Sequence, residues 1–134
     1  MYIPPGYGTM MPYIYVKDPL AFLDFVVKAF GAEEIGRTVH PRGSVVNLRV
    51  RLGTSNFMVA PLGGGLESMA GAYRLFVENV DGAIVKAITS GAVMQFAPVD
   101  MPYGDRQAAI TDPCGNTWFL VTRLVHEPYD VPMK

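Results

Sequence analysis

The sequence predicts an α+β domain made of two pseudo-symmetric β-α-β-β-β modules whose strands form a curved mixed sheet around a cleft. Three observations predict it. Some segments alternate apolar and polar residues at period two, whereas two others repeat apolar residues every three or four positions. Both helical segments stop on the same dipeptide, Gly31-Ala32 and Gly91-Ala92. The second half also repeats the first at a nearly constant offset: Val16 matches Val77 at 61, Gly31 matches Gly91 at 60, and Phe57 matches Phe119 at 62.

The first module spans about residues 11–62. Tyr13-Ile14-Tyr15-Val16 is aromatic and β-branched, as a strand requires. Asp18-Pro19 supplies an N-cap and a proline at the first helical position. Leu20, Leu23, Val27 and Phe30 then form an apolar helical stripe up to Gly31. A second strand runs from Ile35 to Val39, and Pro41-Arg42-Gly43 turns the chain. Val46, Leu48, Val50 and Leu52 alternate with Asn47, Arg49 and Arg51, the period-two signature of a half-buried strand. Gly53-Thr54-Ser55 makes a turn before a fourth strand, Asn56 to Ala60. Residues 63–71 carry three consecutive glycines and read as a linker.

The second module covers about residues 72–124. It restarts with a strand from Tyr73 to Val77 and a helix from Val80 to Ser90 with Val80, Ile84, Ala87 and Ile88 on one side. A strand from Val93 to Phe96 leads into a proline-rich loop through Pro102. Strands from Arg106 to Thr111 and Thr117 to Thr122 flank the turn Asp112-Pro113-Cys114-Gly115-Asn116. Residues 125–134 form a tail.

Composition bounds the function. The 134 residues make one domain, and half of them are apolar, ample for a core. Eleven Lys and Arg stand against twelve Asp and Glu, so no basic excess exists to hold a phosphate backbone, and no nucleic-acid partner is expected. No apolar run approaches the roughly 20 residues that span a bilayer, and the first residues lack the pattern of a secretory signal. A cytoplasmic protein without a membrane partner is expected. One cysteine, Cys114, excludes an internal disulfide, and two histidines leave few metal ligands to place. Gly63-Gly64-Gly65 lacks the flanking strand, helix and Lys-Ser/Thr of a phosphate loop.

The layout and four strings together resemble the glyoxalase/bleomycin-resistance/extradiol-dioxygenase superfamily, the vicinal oxygen chelate fold. The strings are Val16-Lys17-Asp18-Pro19, Ala29-Phe30-Gly31-Ala32, Val77-Glu78-Asn79-Val80-Asp81, and Tyr103-Gly104-Asp105-Arg106 followed by Asp112-Pro113-Cys114-Gly115-Asn116-Thr117-Trp118. The last is similar to the ending of the bleomycin-resistance-like branch. The resemblance covers about Met11 to Leu124. It implies lyase, isomerase, dioxygenase, thiol-transferase or drug-sequestering activity, because this fold hosts all of these.

The resemblance also implies where metal ligands belong. Counting from the shared motifs, those positions are Met11, Phe57, Ala72 and Phe119, and none suits a hard or borderline divalent cation. Slips of one residue bring only Pro12, Asn56, Met58, Tyr73, Trp118 and Leu120. A related branch's His and Glu in the third strand correspond to Asn47 and Arg49. No metal and no cofactor are therefore expected.

Strand alternation assigns the cleft instead. Met11, Tyr13, Tyr15, Asn47, Arg49, Phe57, Arg74, Phe76 and Phe119 are expected to line it, with Tyr103 as a lid and Arg106 carried in by the motif. Apolar walls with sparse polar anchors describe a small-molecule pocket, in which an arginine stacks on an aromatic ligand or pairs with a carboxylate. The expected function is a metal-free binding protein for an aromatic or amphipathic small molecule, acting as a homodimer, which the resemblance implies. Two alternatives stay open: a lyase, isomerase or dioxygenase using a non-standard site, and a protein whose cleft Phe57, Phe76 and Phe119 simply fill.

Overall fold

The computed structural model describes residues 1–63, 65 and 69–129; parts of the expected linker (64, 66–68) and tail (130–134) lie outside the described residues. The first module contains β1 (Tyr13–Val16), α1 (Pro19–Phe30), β2 (Glu33–Val39), β3 (Val45–Leu52) and β4 (Ser55–Pro61). The second contains β5 (Ala72–Phe76), α2 (Val80–Thr89), β6 (Val93–Asp100), β7 (Asp105–Thr111) and β8 (Thr117–Arg123). Each module forms a four-stranded mixed sheet, ordered β1-β4-β3-β2 and β5-β8-β7-β6. The β1–β4 and β5–β8 pairs are parallel and the others antiparallel, so in each module a helix and two strands make up the long connection that parallel pairing demands.

Local chemistry sets the helix limits. The Asp18 carboxylate accepts from the backbone N–H of Leu20 and Ala21, both at 3.1 Å, which occupies donors that the first turn leaves orphaned. Gly31 ends α1 at φ +74°, a left-handed conformation that a residue with a Cβ resists. Asn79 repeats the N-cap for α2 by accepting from Gly82 N–H at 3.2 Å.

Three expectations about the elements change. The buried stripe of α1 is Phe22, Phe25, Val26 and Ala29, whereas Leu20 and Val27 are exposed. This helix is apolar nearly all round, so the largest aromatic face packs inward and periodicity alone does not choose it. In α2, Val80, Ile84 and Ala87 are buried but Ile88 is exposed. The proline-rich stretch after Phe96 continues β6 to Asp100, with register shifts between Met94 and Phe96 and between Phe96 and Val99. β6 is an edge strand, where Pro98 costs no ladder bond to a further neighbour.

Both helices and one face of each sheet share a single core. Leu48, Val50, Phe57 and Val59 come from the first sheet and Ala108, Ile110, Trp118 and Leu120 from the second. The helices pack on one another. Trp118 joins the modules: its ring centroid lies 6.4 Å from Phe22, 5.0 Å from Phe30 and 5.0 Å from Tyr73. Asp112 fixes that indole. Its buried carboxylate accepts from Trp118 Nε1 at 2.8 Å and from the backbone N–H of Cys114 and Asn116 at 2.8 and 3.0 Å.

The register explains which side chains face away from the helices. The β3–β4 turn is only Gly53-Thr54, since Leu52 pairs with Ser55. The β7–β8 turn has five residues, Asp112 to Asn116, since Thr111 pairs with Thr117. A count from the glycine of each turn therefore slips by one residue, and in a strand one residue changes the face.

Substituting Asp112→Ala removes one carboxylate and strands three donors, one of them a buried indole. The unfolding free energy should fall by about 2–4 kcal/mol, read in urea melts as a lower midpoint at unchanged slope.

Candidate functional site

Each sheet keeps one face free of helices. On the first sheet this open face carries Tyr13 and Tyr15 from β1, Asn56, Met58 and Ala60 from β4, Asn47, Arg49 and Arg51 from β3, and Thr38 from β2, as the cross-strand pairs require. A hydrogen-bonded row crosses it. Arg49 Nη1 donates to Thr38 Oγ1 at 3.2 Å and to Asn47 Oδ1 at 3.0 Å. Asn47 Nδ2 donates to Tyr13 Oη at 3.2 Å and approaches Met58 Sδ at 3.6 Å. The Tyr13 and Tyr15 rings lie 5.1 Å apart, tilted by 47°. The row is a polar line with phenol rings at one end and a half-buried guanidinium at the other.

The open face of the second sheet is organised differently. Arg74 and Phe76 come from β5, Phe119, Val121 and Arg123 from β8, and Asp105, Gln107 and Ala109 from β7. Asp105 is fully buried and holds both arginines: Arg74 Nη2 donates to it at 2.6 Å and Arg123 Nη1 at 3.1 Å. Tyr129 Oη donates to the same carboxylate at 2.7 Å, with its ring 4.2 Å from the Arg123 guanidinium. Arg123 also donates to the Glu127 carbonyl at 2.7 Å, so one arginine fastens the chain after β8 over this face. Tyr103 Oη donates to Gln107 Oε1 at 3.1 Å, and Phe119 packs 6.4 Å from Phe96. Here two arginines share one carboxylate.

Burial alone would raise the Asp105 pKa, but hydrogen bonds from Tyr129, Arg123 and Arg74 outweigh it and hold the carboxyl below its usual range. Cys114 behaves in the opposite way. Burial, with the charges of Asp112 and Asp18, pushes its thiol up to about 11, so it is a poor nucleophile at neutral pH.

The structure brings the expected residues together in two groups. Tyr13, Tyr15, Asn47 and Arg49 share one open face; Arg74, Phe76, Tyr103 and Phe119 share the other. No hydrogen bond, ion pair or ring contact among the described residues links the two groups. Three of the expected residues lie elsewhere than strand alternation or the motif places them. Phe57 lies on the helix side of β4, 4% exposed, because the short β3–β4 turn shifts the parity; Met58 takes its place. Arg106 pairs across β7–β8 with Thr122, on the helix side, and binds Asp81 at the start of α2 at 2.8 Å and Asp100 at 2.9 Å. Met11 precedes β1 and packs against the core, outside the strand alternation that was extended to it.

Sequence reasoning missed Asp105, Arg123 and Tyr129. Alternation along β8, carried two residues beyond Val121, places Arg123 on the open face, and Asp105 follows from its pairing; nothing in the sequence places Tyr129. A cavity of about 300 Å³ also opens between β1 and β5, and two of the expected cleft residues, Phe57 and Arg74, line it together with Ile14, Tyr73, Leu75 and Trp118 among others.

A metal of the kind the fold's metalloenzymes carry does not fit these residues. With the register corrected, the positions that the resemblance implies for ligands hold Met11, Met58, Ala72 and Phe119, and the polar atoms nearby are phenols, amides and guanidinium groups. Among the described residues no group of three or more His, Cys, Asp or Glu side chains converges.

The lowered Asp105 pKa gives a signed pH dependence. Its stabilisation is complete above the unfolded carboxyl value, about 4, and is lost as pH falls through the lower folded value. Asp105→Asn should be less stable than the parent at pH 7, and the gap between their urea midpoints should close as pH drops toward 2.

Comparison with known proteins agrees with this architecture. Residues 8–120 match the Glyoxalase/Bleomycin resistance protein/Dioxygenase superfamily. An uncharacterized protein of Mycobacterium bovis is 32% identical over 123 residues, covering 84% of this chain and 81% of its own. A Mycobacterium tuberculosis protein is equally similar, covering 84% and 72%. TioX from Micromonospora sp. ML1 superposes with a TM-score of 0.73 at 23% identity, over 87% of this chain and all of its own, a likeness of fold. A superfamily member from Sphaerobacter thermophilus superposes at 0.68 with 26% identity, over 86% and 96%. No helix among the described residues is long and apolar enough to cross a membrane. With the paired modules, the family match and these relatives in agreement, the chain belongs to the glyoxalase/bleomycin-resistance/dioxygenase superfamily.

Proposed function

We propose that this chain is a metal-free binding protein that holds an aromatic or amphipathic small molecule on the open face of its first sheet. The row from Tyr13 through Asn47 and Arg49 to Thr38 carries the reading. Phenol rings and the Met58 thioether give apolar contact, and a few fixed polar groups give orientation, the usual make-up of a ligand site. The second sheet is the weaker candidate because both of its arginines are already ion-paired with Asp105 and the Tyr129 ring lies over Arg123. The proposal includes a cytoplasmic homodimer; Phe76, 57% exposed on the second sheet, supports a face covered by a second chain.

Thermal denaturation against a panel of one- and two-ring aromatic compounds, neutral and charged, tests this. Some compounds should raise the melting temperature in a concentration-dependent way, as mass action requires. Tyr13→Ala should weaken the best of them by about tenfold, the worth of one aromatic contact, while Arg106→Ala leaves it unchanged. A panel that shifts nothing at millimolar concentration contradicts the proposal.

A further inference from the structure

β1 and β5 are edge strands, no ladder joins them, and the cavity of about 300 Å³ lies between them. Thr117 N–H donates to the Gly71 carbonyl at 2.9 Å, and Val77 N–H donates to the Val121 carbonyl at 2.8 Å. Successive residues of a strand turn their backbone groups to opposite sides. Gly71, Tyr73, Leu75 and Val77 therefore face β8, whereas Ala72, Arg74 and Phe76 face away from it. The backbone N–H and C=O of Ala72 and Arg74 have no protein partner among the described residues. Both residues border the cavity, yet their side chains belong to the open face, so β5 meets the cavity along this bare backbone edge.

The other walls offer apolar surface. Pro12 and Ile14 line the β1 side, and the same alternation turns their backbone toward β4, as the bond from Met58 N–H to the Pro12 carbonyl at 3.2 Å shows. Phe57, Tyr73 and Trp118 contribute rings, with the Tyr73 and Trp118 centroids 5.0 Å apart. The polar groups of two lining side chains are already engaged. Trp118 Nε1 donates to Asp112, and the Arg74 guanidinium is ion-paired with Asp105 at 2.6 Å. Apolar walls with a few backbone N–H and C=O anchors are the usual make-up of a small-molecule site. The β8 ladder already fixes the β5 backbone, so no entropy of ordering is lost when these anchors meet a ligand.

We infer that this cavity is a second ligand site, separate from the open face of the first sheet, and that it takes a planar neutral heterocycle with an N–H donor beside an acceptor, as in a lactam. The pairing follows from strand geometry. Along a free edge, the C=O of one residue and the N–H of the residue two places on stand side by side and point the same way. In a parallel ladder a single residue of the next strand bonds to both. The Ala72 C=O and the Arg74 N–H are such a pair. A lactam carries the two complementary atoms on one rigid edge. Its N–H donates to the Ala72 carbonyl, and its carbonyl accepts from the Arg74 N–H. Its ring then lies among Phe57, Tyr73 and Trp118, and about 300 Å³ is room for one or two fused rings. A charged ring is disfavoured, because no unpaired charge lines the cavity to offset its desolvation.

Isothermal titration of the full chain with 2-quinolone and N-methyl-2-quinolone tests the inference. The lactam should bind about tenfold or more tightly than its N-methyl derivative, which has the same rings but sets a methyl group against the Ala72 carbonyl. Arg74→Pro removes an N–H on the free side of an edge strand, where no ladder bond is lost. Arg74→Ala loses the same guanidinium but keeps that N–H. Arg74→Pro should therefore bind 2-quinolone about tenfold more weakly than Arg74→Ala. Amide resonances of the 15N-labelled parent chain provide a readout that needs no variant to fold: 2-quinolone should shift those of Tyr73 and Arg74 most. Equal affinity for the two quinolones, equal affinity of the two Arg74 variants, or shifts centred on Asn47 and Arg49 overturns the inference. Failure of 2-quinolone to bind at millimolar concentration overturns it as well. Each of these results leaves the reading of the first sheet standing.

Discussion

The indole of Trp118 ties the two modules together. It is fixed at one edge by the Asp112 carboxylate and packed by rings from α1 and β5, so it belongs to the core of both halves at once. A buried carboxylate is costly unless its acceptors are used, and Asp112 uses them on three donors of its own turn and strand. The five-residue β7–β8 turn exists to make that arrangement, and Gly115 at φ +91° lets it close. The consequence is functional. With both helices committed to the shared core, each sheet keeps one face for other uses.

The two open faces solve the same problem in different ways. Polar groups on a half-covered sheet must find partners or water. On the second sheet a buried aspartate gathers two arginines and a tyrosine from beyond β8 into one cluster that carries a single positive charge in excess. On the first sheet the corresponding row is built from neutral donors and acceptors around a single cation. Pseudo-symmetry of the backbone therefore coexists with asymmetry in how the polar groups are bonded. The asymmetry, more than the fold, singles out one face, because the fold hosts many chemistries and specificity lies in the side chains grafted on it.

Much of this was legible from residues alone. Asp18-Pro19, Gly31 and the alternation around Leu48 and Val50 place their elements correctly because each depends on local backbone chemistry. The paired modules follow from repeated stop signals. What was not legible depended on register. Phe57 and Phe119 look equivalent because each stands four residues beyond a turn glycine, yet a two-residue turn and a five-residue turn set opposite parities. Arg106 was drawn into the cleft by its motif, whereas its carboxylate partner Asp81 sits 25 residues earlier in the chain, on a helix. Asp105 and Tyr129 meet only through tertiary contact, which no periodicity records.

The central claim is that the first sheet's open face, anchored at Arg49, is the working surface. A two-dimensional NMR titration of 15N-labelled protein with the panel compound that raises the melting temperature most tests it most directly. The account predicts that the Arg49 Nε–H and Asn47 side-chain amide resonances shift most, with smaller shifts along β1, β3 and β4 and none along β5–β8. Shifts centred on Arg74 and Phe119, or on Tyr73 and Leu75 beside the cavity between β1 and β5, would contradict it.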